Sequence, residues 1–329
     1  MNKNTIKQLA KHEIYPYGSI ELLKFEKQME RYFSREYALW LGNKKLPESY
    51  NTSSFEGDIE KKETHSEHID PYNKEFNIYK SFLDKDYMAY TMAYYGRTSN
   101  PNEIINDISL EQAQLEKYKL IIERAEIKDG QNILDLGCGF GGFIKFLLQT
   151  FPNITVTGVN PSATQTTYIR ESLKNDSLRF NLIEKYIGDA TDDDIPLNSY
   201  DRIVSIGVLE HFSNLDLLFK YLEKILKPGG KCFHHIIVSA DTIPQLLNAE
   251  STLVSNYFPG GHIWPYAEMK RHNTNLKFIN SWFVNGLNYW KTLDEWHRRF
   301  WETIDQLYPE YMTLEEVDKW NKYFSLCKA

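Results

Sequence analysis

Three glycines in one short turn are the first residues of this 329-residue chain whose type and spacing could serve chemistry. Gly137, Gly139 and Gly141 follow directly on an apolar run, NILDL, that begins at Asn132. Glycine has no side chain, so the backbone can turn sharply there and a ligand can lie against it. The pattern therefore predicts a ligand-binding turn.

Glu210 and His211 are a second candidate, because a carboxylate beside an imidazole can accept a proton or orient an acceptor molecule. They come just after the stretch DRIVSIG, whose apolar and β-branched residues are typical of a buried parallel strand. Such a strand delivers the residues after it to the ligand-binding edge of a sheet. The alternative is that the pair caps the next helix, predicted over residues 215–226. The direction of the strand favours the functional interpretation.

The elements around the glycines are a strand, a tight turn and a helix. Residues 132–136 form the predicted strand. The apolar positions of the helix are Phe143, Ile144, Phe146, Leu147 and Leu148. Together they predict the first unit of a doubly wound α/β sheet, where nucleotides bind at the carboxyl ends of the strands.

The second strand indicates which nucleotide the turn would hold. The spacing GxGxGG is close to the dinucleotide fingerprint, but a dinucleotide site also needs an acidic residue after the second strand. The predicted strand 155–159 ends instead in Asn160. We interpret LDLGCG as the glycine loop of an S-adenosylmethionine (SAM) site, in which Asp135 fixes the loop. Gly137 and Gly139 then make room for the amino-acid and ribose parts. A nucleotide-free sheet with a glycine turn is the alternative.

Further cofactor contacts are predicted after the second and third strands. Ser162 is expected to cap a helix opening at residues 160–165, from which Gln165 could reach back to the cofactor. A third strand is predicted to end near residue 187, just before Asp189 and Ala190, which we assign to the cofactor site. Asp189 could accept a hydrogen bond from the adenine amino group, or it could be an ordinary turn residue.

Two adjacent histidines lie on a strand predicted over residues 231–239, after the turn KPGG. Successive side chains of a strand point to opposite faces, so His234 and His235 should diverge. One of them is expected to face the site edge and the other a helix layer. A core histidine is the alternative for either residue.

The segment FLDKDYMAYTMAYY, residues 82–95, crowds five aromatic rings and two methionines together. Tyrosine rings attract a cation at their faces, so this segment could fold over the cofactor and meet its sulfonium group. The alternative is that these residues form a buried turn that belongs to the hydrophobic core. An amphipathic helix over residues 109–126, capped by Ser109, leads from it towards the first strand.

The other elements extend this α/β core. A helix over residues 19–40 is interpreted as a lid or as an element of a dimer interface, so a homodimer is one of the expected arrangements. A polar loop follows over residues 43–68. Towards the end of the chain we predict an aromatic loop over 256–266, a strand over 276–283, and helices over 292–308 and 313–327.

Composition excludes several classes of function. The formal net charge of −7 gives no support for nucleic-acid binding by bulk charge. Three cysteines without a CxxC pair argue against a disulfide framework and against a metal site of the zinc type. No apolar run reaches transmembrane length and no signal core is seen, so we expect a soluble, cytoplasmic protein without an integral membrane segment.

With these pieces in place, the chain resembles the cyclopropane-fatty-acid synthase family of SAM-dependent methyltransferases. That family includes mycolic-acid-modifying enzymes and plant alkaloid N-methyltransferases. The resemblance covers about residues 82–329 and is carried, in this order, by YTMAYY, SLEQAQ, LDLGCGFGG, VTGVNPSATQ, DRIVSIGVLEHF, KPGGKCFHHI, YFPGG and NGLNYWKTLDEWHRRF. Ahead of it, the residue pattern predicts a helical N-terminal extension or lid with a polar loop over residues 1–80. A methyltransferase domain follows over 81–329, with cap elements at about 240–275 and 290–329.

The resemblance also implies roles for individual residues. Tyr90 and Thr91 match a Tyr-Ser pair that holds the amino-acid end of SAM, and Asn160 and Gln165 match a Thr and a Gln near the ribose. Gly137 and Gly139 match the family's glycine loop. The residues that match a bicarbonate site of the lipid enzymes, where bicarbonate acts as the base, are Glu210, His235 and Tyr289.

Departures from the family pattern limit what is carried over. Met92 stands where the lipid enzymes have a cysteine that contacts bicarbonate, which argues against that ion here. Family members usually continue beyond the position of Ala329 into a last edge strand. We therefore expect a class I methyltransferase sheet of six strands, or of seven if one is supplied in another way.

Three functions are compatible with these residues. The first is methyl transfer from SAM to carbon or nitrogen of a small, mostly apolar acceptor. The second is a cyclopropane-fatty-acid synthase or acyl-lipid methyltransferase, which Gly207 favours and the acidic net charge of −7 disfavours. The third is a SAM-binding protein without catalysis, against which Glu210, His235 and Tyr289 argue.

Overall fold

Five parallel strands form the central sheet of this protein. The computed structural model describes residues 3–42, 74–96, 106–239, 245–246, 261–271 and 276–329. In chain order the strands of this sheet are β1 (Asn132–Leu136), β2 (Thr155–Val159), β3 (Phe180–Ile183), β4 (Tyr200–Ile206) and β5 (Leu226–His235). Their spatial order is β3-β2-β1-β4-β5. This topology confirms the predicted doubly wound α/β architecture.

The centre of the sheet is β1, whose residues are covered on both faces. Leu134 is fully buried and lies opposite Thr157 of β2 and Ile203 of β4. The sheet grows in one direction through β2 and β3 and in the other through β4 and β5. A ligand crevice forms outside the carboxyl ends of the strands where the growth direction changes. The fold therefore places such a crevice after β1 and β4.

Helices cover the sheet and also form a separate helical layer. In chain order they are α1 (Lys3–Ala10), α2 (Ile20–Gly42), α3 (Phe76–Phe82), α4 (Leu110–Ala125), α5 (Gly142–Thr150), α6 (Ala163–Ser172), α7 (Leu215–Ile225), α8 (Tyr266–Arg271), α9 (Leu287–Glu302), α10 (Ile304–Leu307) and α11 (Leu314–Lys328). Ser109 and Ser162 cap α4 and α6 by accepting the backbone N–H three residues on. Both caps confirm the sequence prediction.

The helical layer joins the two ends of the chain in one apolar core. Leu9 of α1, Phe82 of α3, Trp296 of α9 and Phe324 of α11 are all fully buried in it. At its centre Asn321 accepts a hydrogen bond from the Trp301 indole at 2.8 Å. The aromatic segment over residues 82–95 lies between this core and α4, because it is hydrogen-bonded to α9 on one side and to α4 on the other.

The expected six or seven strands are not found in the central sheet, which has five among the described residues. The strand predicted over residues 276–283 is wrong, because this segment is described and has no strand structure. Phe283 is 73% exposed, and the Trp282 ring lies under the Arg124 guanidinium at 4.8 Å. Apolar alternation alone does not make a strand when no neighbouring strand offers hydrogen bonds.

A second, small sheet replaces part of the predicted aromatic loop. β8 (His262–Pro265) pairs in parallel with β6 (Val238–Ser239) and antiparallel with β7 (Gln245–Leu246). The loop prediction for residues 256–266 is therefore wrong from His262 onward, while 256–260 lie outside the described residues. The polar loop predicted over 43–68 lies outside them as well.

Within the described ranges, no helix combines the length and apolar character needed to cross a bilayer. Across the same ranges, no group of three or more His, Cys, Asp or Glu side chains is arranged to hold a metal ion.

Candidate functional site

A cleft opens at the carboxyl ends of β1 and β4, where the topology places the crevice. It is framed by the glycine loop after β1, the start of α6, the turn after β4 and part of the aromatic segment. Its lining includes Met88, Ala89, Tyr90, Thr91, Tyr118, Asp135, Gly137, Gly139, Phe140, Asn160, Gln165, Lys185, Tyr186, Ile187, Gly207, His211 and Phe212.

The glycine loop is shaped by backbone conformations that other residues rarely adopt. Gly137 has φ +70°, and a Cβ at this position would come within 2.5 Å of Val208 Cγ2. Main-chain N–H groups of Gly137 and Cys138 both donate to the Val159 carbonyl, at 2.9 and 3.1 Å. These bonds fix the turn against the end of β2. The loop thus keeps its backbone at the surface of the cleft, as a close-approaching ligand requires.

Asp135 lies at the end of β1 and lines the cleft, although the residue is only 2% exposed. Burial raises the pKa of its carboxyl to about 8. Its Oδ2 atom has no hydrogen-bond partner among the described residues. The Oδ2 atom therefore does not fix the loop. It is available to a cationic ligand group, whose charge would favour the ionised form of this carboxyl.

Asn160 ties the glycine loop to the start of α6. Its side-chain amide donates to the Gly139 carbonyl and to Gln165 Oε1, both at 2.8 Å. Its Oδ1 accepts the Ser162 N–H at 3.0 Å. Asn160 and Gln165 both line the cleft, where the sequence predicted them. Asparagine thus holds two loops together here, and a threonine would have only one hydroxyl for this task.

We expect Asn160→Ala to lower the free energy of unfolding by about 2–3 kcal/mol, because buried partners lose their hydrogen bonds. The matched control is Asn153→Ala, which removes an exposed amide bonded to Asp129 at 2.7 Å. Urea unfolding followed by circular dichroism measures both. Equal losses in the two variants would contradict the structural role given to Asn160.

Tyr90 and Thr91 lie in the part of the aromatic segment that lines the cleft. The buried Asp84 carboxylate accepts N–H groups from Tyr87 and Ala89, at 2.7 and 2.6 Å. From α4, the Gln114 amide donates to the Thr91 carbonyl at 2.9 Å. The segment is therefore braced internally by Asp84 and tied to α4 by Gln114, which positions the Thr91 side chain at the cleft.

Asp189, predicted to contact adenine, and Ala190, assigned to the cofactor site, are not among the residues that line this cleft. β3 ends at Ile183, four residues earlier than predicted, and Asp189 belongs to a 3₁₀ turn (Ile187–Asp189). The residues of this connection that reach the cleft are Lys185, Tyr186 and Ile187. Which residues after β3 reach the cleft depends on this irregular turn, and the pattern of apolar residues did not predict it.

Glu210 and His211 share a 3₁₀ turn (Leu209–His211) after β4 but point in different directions. His211 lines the cleft, whereas Glu210 does not. Glu210 Oε1 accepts the Ile237 N–H at 2.7 Å, and Oε2 has no partner among the described residues. Burial raises the pKa of this carboxyl to about 7. A carboxylate with this pKa is suited to accept a proton near neutral pH.

The two histidines of β5 separate as predicted, and neither lines the cleft. His234 Nδ1 is 2.7 Å from Ser205 Oγ, and its ring packs on Phe219 of α7. His235 faces α4, where burial and then the charges of Lys117 and Arg124 lower its pKa to about 3. His235 is therefore neutral at physiological pH.

Tyr289 of α9 lies beyond the cofactor-side cleft, in a group of phenols that we call the tyrosine cluster: Tyr90, Tyr289 and Tyr323. The Tyr90 hydroxyl donates to Tyr323 Oη at 3.4 Å. Burial raises the pKa of Tyr289, and nearby Cys327 and Glu210 raise it further. Tyr90 also lines the cleft, so it connects the cleft to the cluster. Glu210 therefore lies near enough to the tyrosine cluster for its charge to act on Tyr289.

Several lining residues were missed from the sequence, among them Tyr118 and Phe140. Lys117 was missed too, although it lies behind the cleft on the buried side of α4 and is 3% exposed. A lysine among the apolar positions of an amphipathic helix was the available signal, because lysine is rarely buried without a function or partner. For Phe140 and Tyr118 the local pattern carried no such signal.

Curated relatives fall into two groups. (S)-coclaurine N-methyltransferase of Thalictrum flavum subsp. glaucum is 28% identical over 63% of this chain and 57% of its own length. Cyclopropane-fatty-acyl-phospholipid synthase of Escherichia coli K12 is 30% identical over 74% of this chain and 59% of its own. The chain thus spans less than two thirds of the length of these relatives.

Solved structures share the fold. A coclaurine N-methyltransferase bound to N-methylheliamine and S-adenosylhomocysteine (SAH) superposes with a TM-score of 0.77 at 20% identity, over 99% of this chain and 93% of that one. The cyclopropane synthase MmaA2 of Mycobacterium tuberculosis gives 0.64 at 23% identity, over 80% and 92%. The family model described as mycolic acid cyclopropane synthetase matches residues 59–329, and the chain belongs to this family.

Proposed function

We propose that the cleft binds SAM and that the protein transfers its methyl group to carbon or nitrogen of a small, mostly apolar acceptor. The observation that carries this proposal is the unpartnered Asp135 carboxylate at the cleft. An ammonium group such as that of an amino acid would satisfy it. The coclaurine N-methyltransferase structure, which contains SAH, supports the same cofactor.

The residues at the cleft fit this cofactor. Thr91 and Asp135 would hold its amino-acid end, and Asn160 and Gln165 its ribose, while the glycine loop lies against it. When bound, SAM supplies a methyl group that is already strongly electrophilic. The protein therefore has mainly to hold the acceptor in line with that group and to remove a proton.

The tyrosine cluster and Glu210 are suited to the acceptor side. Aromatic rings give an apolar acceptor a wall and attract the positive charge that develops on it. The unpartnered Glu210 Oε2 can take the proton of an amine directly, or with His211 through water. The Met92 thioether offers no hydrogen-bond donor for bicarbonate, so the proposal does not include that ion.

Acyl-lipid cyclopropanation or methylation is the second candidate. It is favoured by the Escherichia coli phospholipid synthase, which is 30% identical over 74% of this chain. The formal net charge of −7 does not favour a membrane substrate, because anionic lipid surfaces attract basic proteins. SAM binding without catalysis is the remaining alternative.

A labelling experiment separates these functions. Lipid and polar extracts of the source cell are incubated with the protein and methyl-labelled SAM, then analysed by mass spectrometry. We expect label in a polar or amine-bearing metabolite, which would identify the acceptor. Label in an acyl chain would favour the lipid function. SAM binding with no label in either extract, unchanged in Glu210→Gln, would favour the non-catalytic alternative.

We further propose a cytoplasmic location, which the three unpaired cysteines support, since free thiols are typical of a reducing compartment. The division into an extension over residues 1–80 and a methyltransferase domain over 81–329 stays a prediction, as does a homodimer.

A further inference from the structure

Lys117 of α4 is a buried cation without a direct counter-charge. The residue is 3% exposed, and its ammonium donates to Thr91 Oγ1 at 2.7 Å. Among the described residues it forms no ion pair within 4.0 Å of a carboxylate oxygen. A buried charge is costly unless it is paired. Burial accordingly lowers the pKa of Lys117 to about 7, and the charge of Asp84 opposes this only in part.

Nearby carboxylates are committed to other groups. Asp84, the one whose charge reaches Lys117, accepts two backbone N–H groups of the aromatic segment. Glu111, one turn and a half earlier on α4, forms a two-pronged pair with Arg299 at 2.7 and 2.9 Å. The fold therefore holds Lys117 behind the cleft, where its amine has no ion pair with a described carboxylate.

Thr91 is the link between this cation and the cleft. An ammonium only donates, so Lys117 occupies a lone pair of the hydroxyl and leaves its proton to be donated elsewhere. No acceptor for that proton is found among the described residues. The Thr91 methyl is turned to Gly207, where an added Cβ would be 3.0 Å away. Because Thr91 lines the cleft, an anionic ligand group there is the acceptor its hydroxyl suits.

Other basic groups at the cleft do not compete for this role. Lys185 lines the cleft, but its ammonium is paired with Asp194 at 2.7 Å. His235 lies near Lys117 and is neutral, since burial and the two nearby cations lower its pKa to about 3. Of the two lysines at the described cleft and directly behind it, Lys117 is thus the one without a carboxylate partner.

Two ionisable groups without a direct counter-charge border one cleft: the Asp135 carboxyl, whose Oδ2 atom has no partner among the described residues, and, behind Thr91, the Lys117 amine. A bound group of opposite charge would favour the ionised form of each. An α-amino acid carries both complements, an ammonium and a carboxylate, on one carbon. We infer that Lys117, acting through the Thr91 hydroxyl, is the counter-charge for the carboxylate of the cofactor's amino-acid end. This inference rests on the proposed function and makes Lys117 a positioning residue.

The test compares SAM with decarboxylated SAM, which lacks only that carboxylate. Calorimetric titration gives the dissociation constants for the wild type, Lys117→Met and Thr91→Val. We expect both variants to bind SAM roughly 10- to 100-fold more weakly, the range for a lost charge-assisted hydrogen bond. Decarboxylated SAM should bind all three proteins within about twofold.

Two further variants separate this role from general damage. Thr91→Ser keeps the hydroxyl and should keep the preference for SAM over its decarboxylated analogue. Lys328→Met removes a lysine whose side chain is 6% exposed and which pairs with Glu26 and Asp294 in the helical layer. It should leave that preference unchanged.

The outcomes distinguish this inference from the function on which it rests. Wild type that binds neither ligand would overturn the proposed function. Wild type that binds SAM, with Lys117→Met weakening both ligands equally or neither, would overturn the role of Lys117 alone. The role of Lys117 would also be overturned if the loss of SAM affinity in Lys117→Met appeared only with added bicarbonate. Lys117 would then be the counter-charge of bicarbonate and not of the SAM carboxylate.

Discussion

Gly142→Ala is expected to lower the free energy of unfolding by about 3 kcal/mol and to weaken SAM binding at least roughly tenfold. Gly142 is the first residue of α5, and a Cβ there would lie 2.2 Å from the Tyr87 carbonyl oxygen and 2.8 Å from Tyr118 Oη. Backbone cannot be displaced as cheaply as a side chain. Tyr87 is also fixed by its N–H bond to Asp84, at 2.7 Å.

Any shift of Tyr87 passes to the part of the segment that lines the cleft, because Thr91 is only four residues further on. The matched control is Gly286→Ala at the start of α9, where an added Cβ meets nothing within 4 Å. Urea unfolding and calorimetric titration with SAH measure both effects. If Gly142→Ala behaved like Gly286→Ala, the close packing of the aromatic segment against α5 described here would be contradicted.

Glu210→Gln should reduce methyl transfer by roughly 10²- to 10⁴-fold, the usual contribution of general acid–base catalysis, while SAM still binds. The amide oxygen of glutamine can still accept the Ile237 N–H, so the turn keeps its geometry. Only the ability to accept a proton is lost. Glu126→Gln is the control, since Glu126 pairs with Lys231 at the opposite end of the sheet.

The pH dependence gives an independent reading of Glu210. Because the pKa of its carboxyl is about 7, kcat/KM of the wild type should rise as pH increases through that value. The free energy of unfolding should change in the opposite direction. Because the pKa of Glu210 is higher in the folded than in the unfolded state, its protonated form stabilises the folded protein at low pH. This stabilisation is lost as pH rises from about 4.5 to about 7. Glu210→Gln should remove the stability change. A pH–rate profile unchanged in the variant would contradict a proton-accepting role.

Short-range patterns explain what the sequence predicted correctly. The strand, glycine turn and helix after Asn132 depend on neighbouring residues, and so do the caps at Ser109 and Ser162. The cleft then follows from topology, because parallel strands bring their carboxyl ends together. This is why Gln165, in the helix that opens after β2, was placed at the cleft, while the family resemblance implied the same position for Asn160.

Long-range contacts explain what the sequence missed. Residues 276–283 carry a strand-like pattern, but whether a strand forms depends on a partner that the segment does not meet. Asp189 depended on the length of an irregular turn after β3. The role of Lys117 depends on Thr91, 26 residues earlier in the chain, and becomes visible only when the aromatic segment packs on α4.

The most direct measurement is equilibrium binding of labelled SAM to the wild type and to Asp135→Asn. The two proteins differ by one carboxylate oxygen, at the position where Oδ2 is buried and unpartnered. We expect one SAM per wild-type chain, displaced by SAH, and binding weakened at least roughly tenfold in the variant. Absence of saturable binding to the wild type, or equal affinity in both proteins, would contradict the assignment of this cleft as the SAM site.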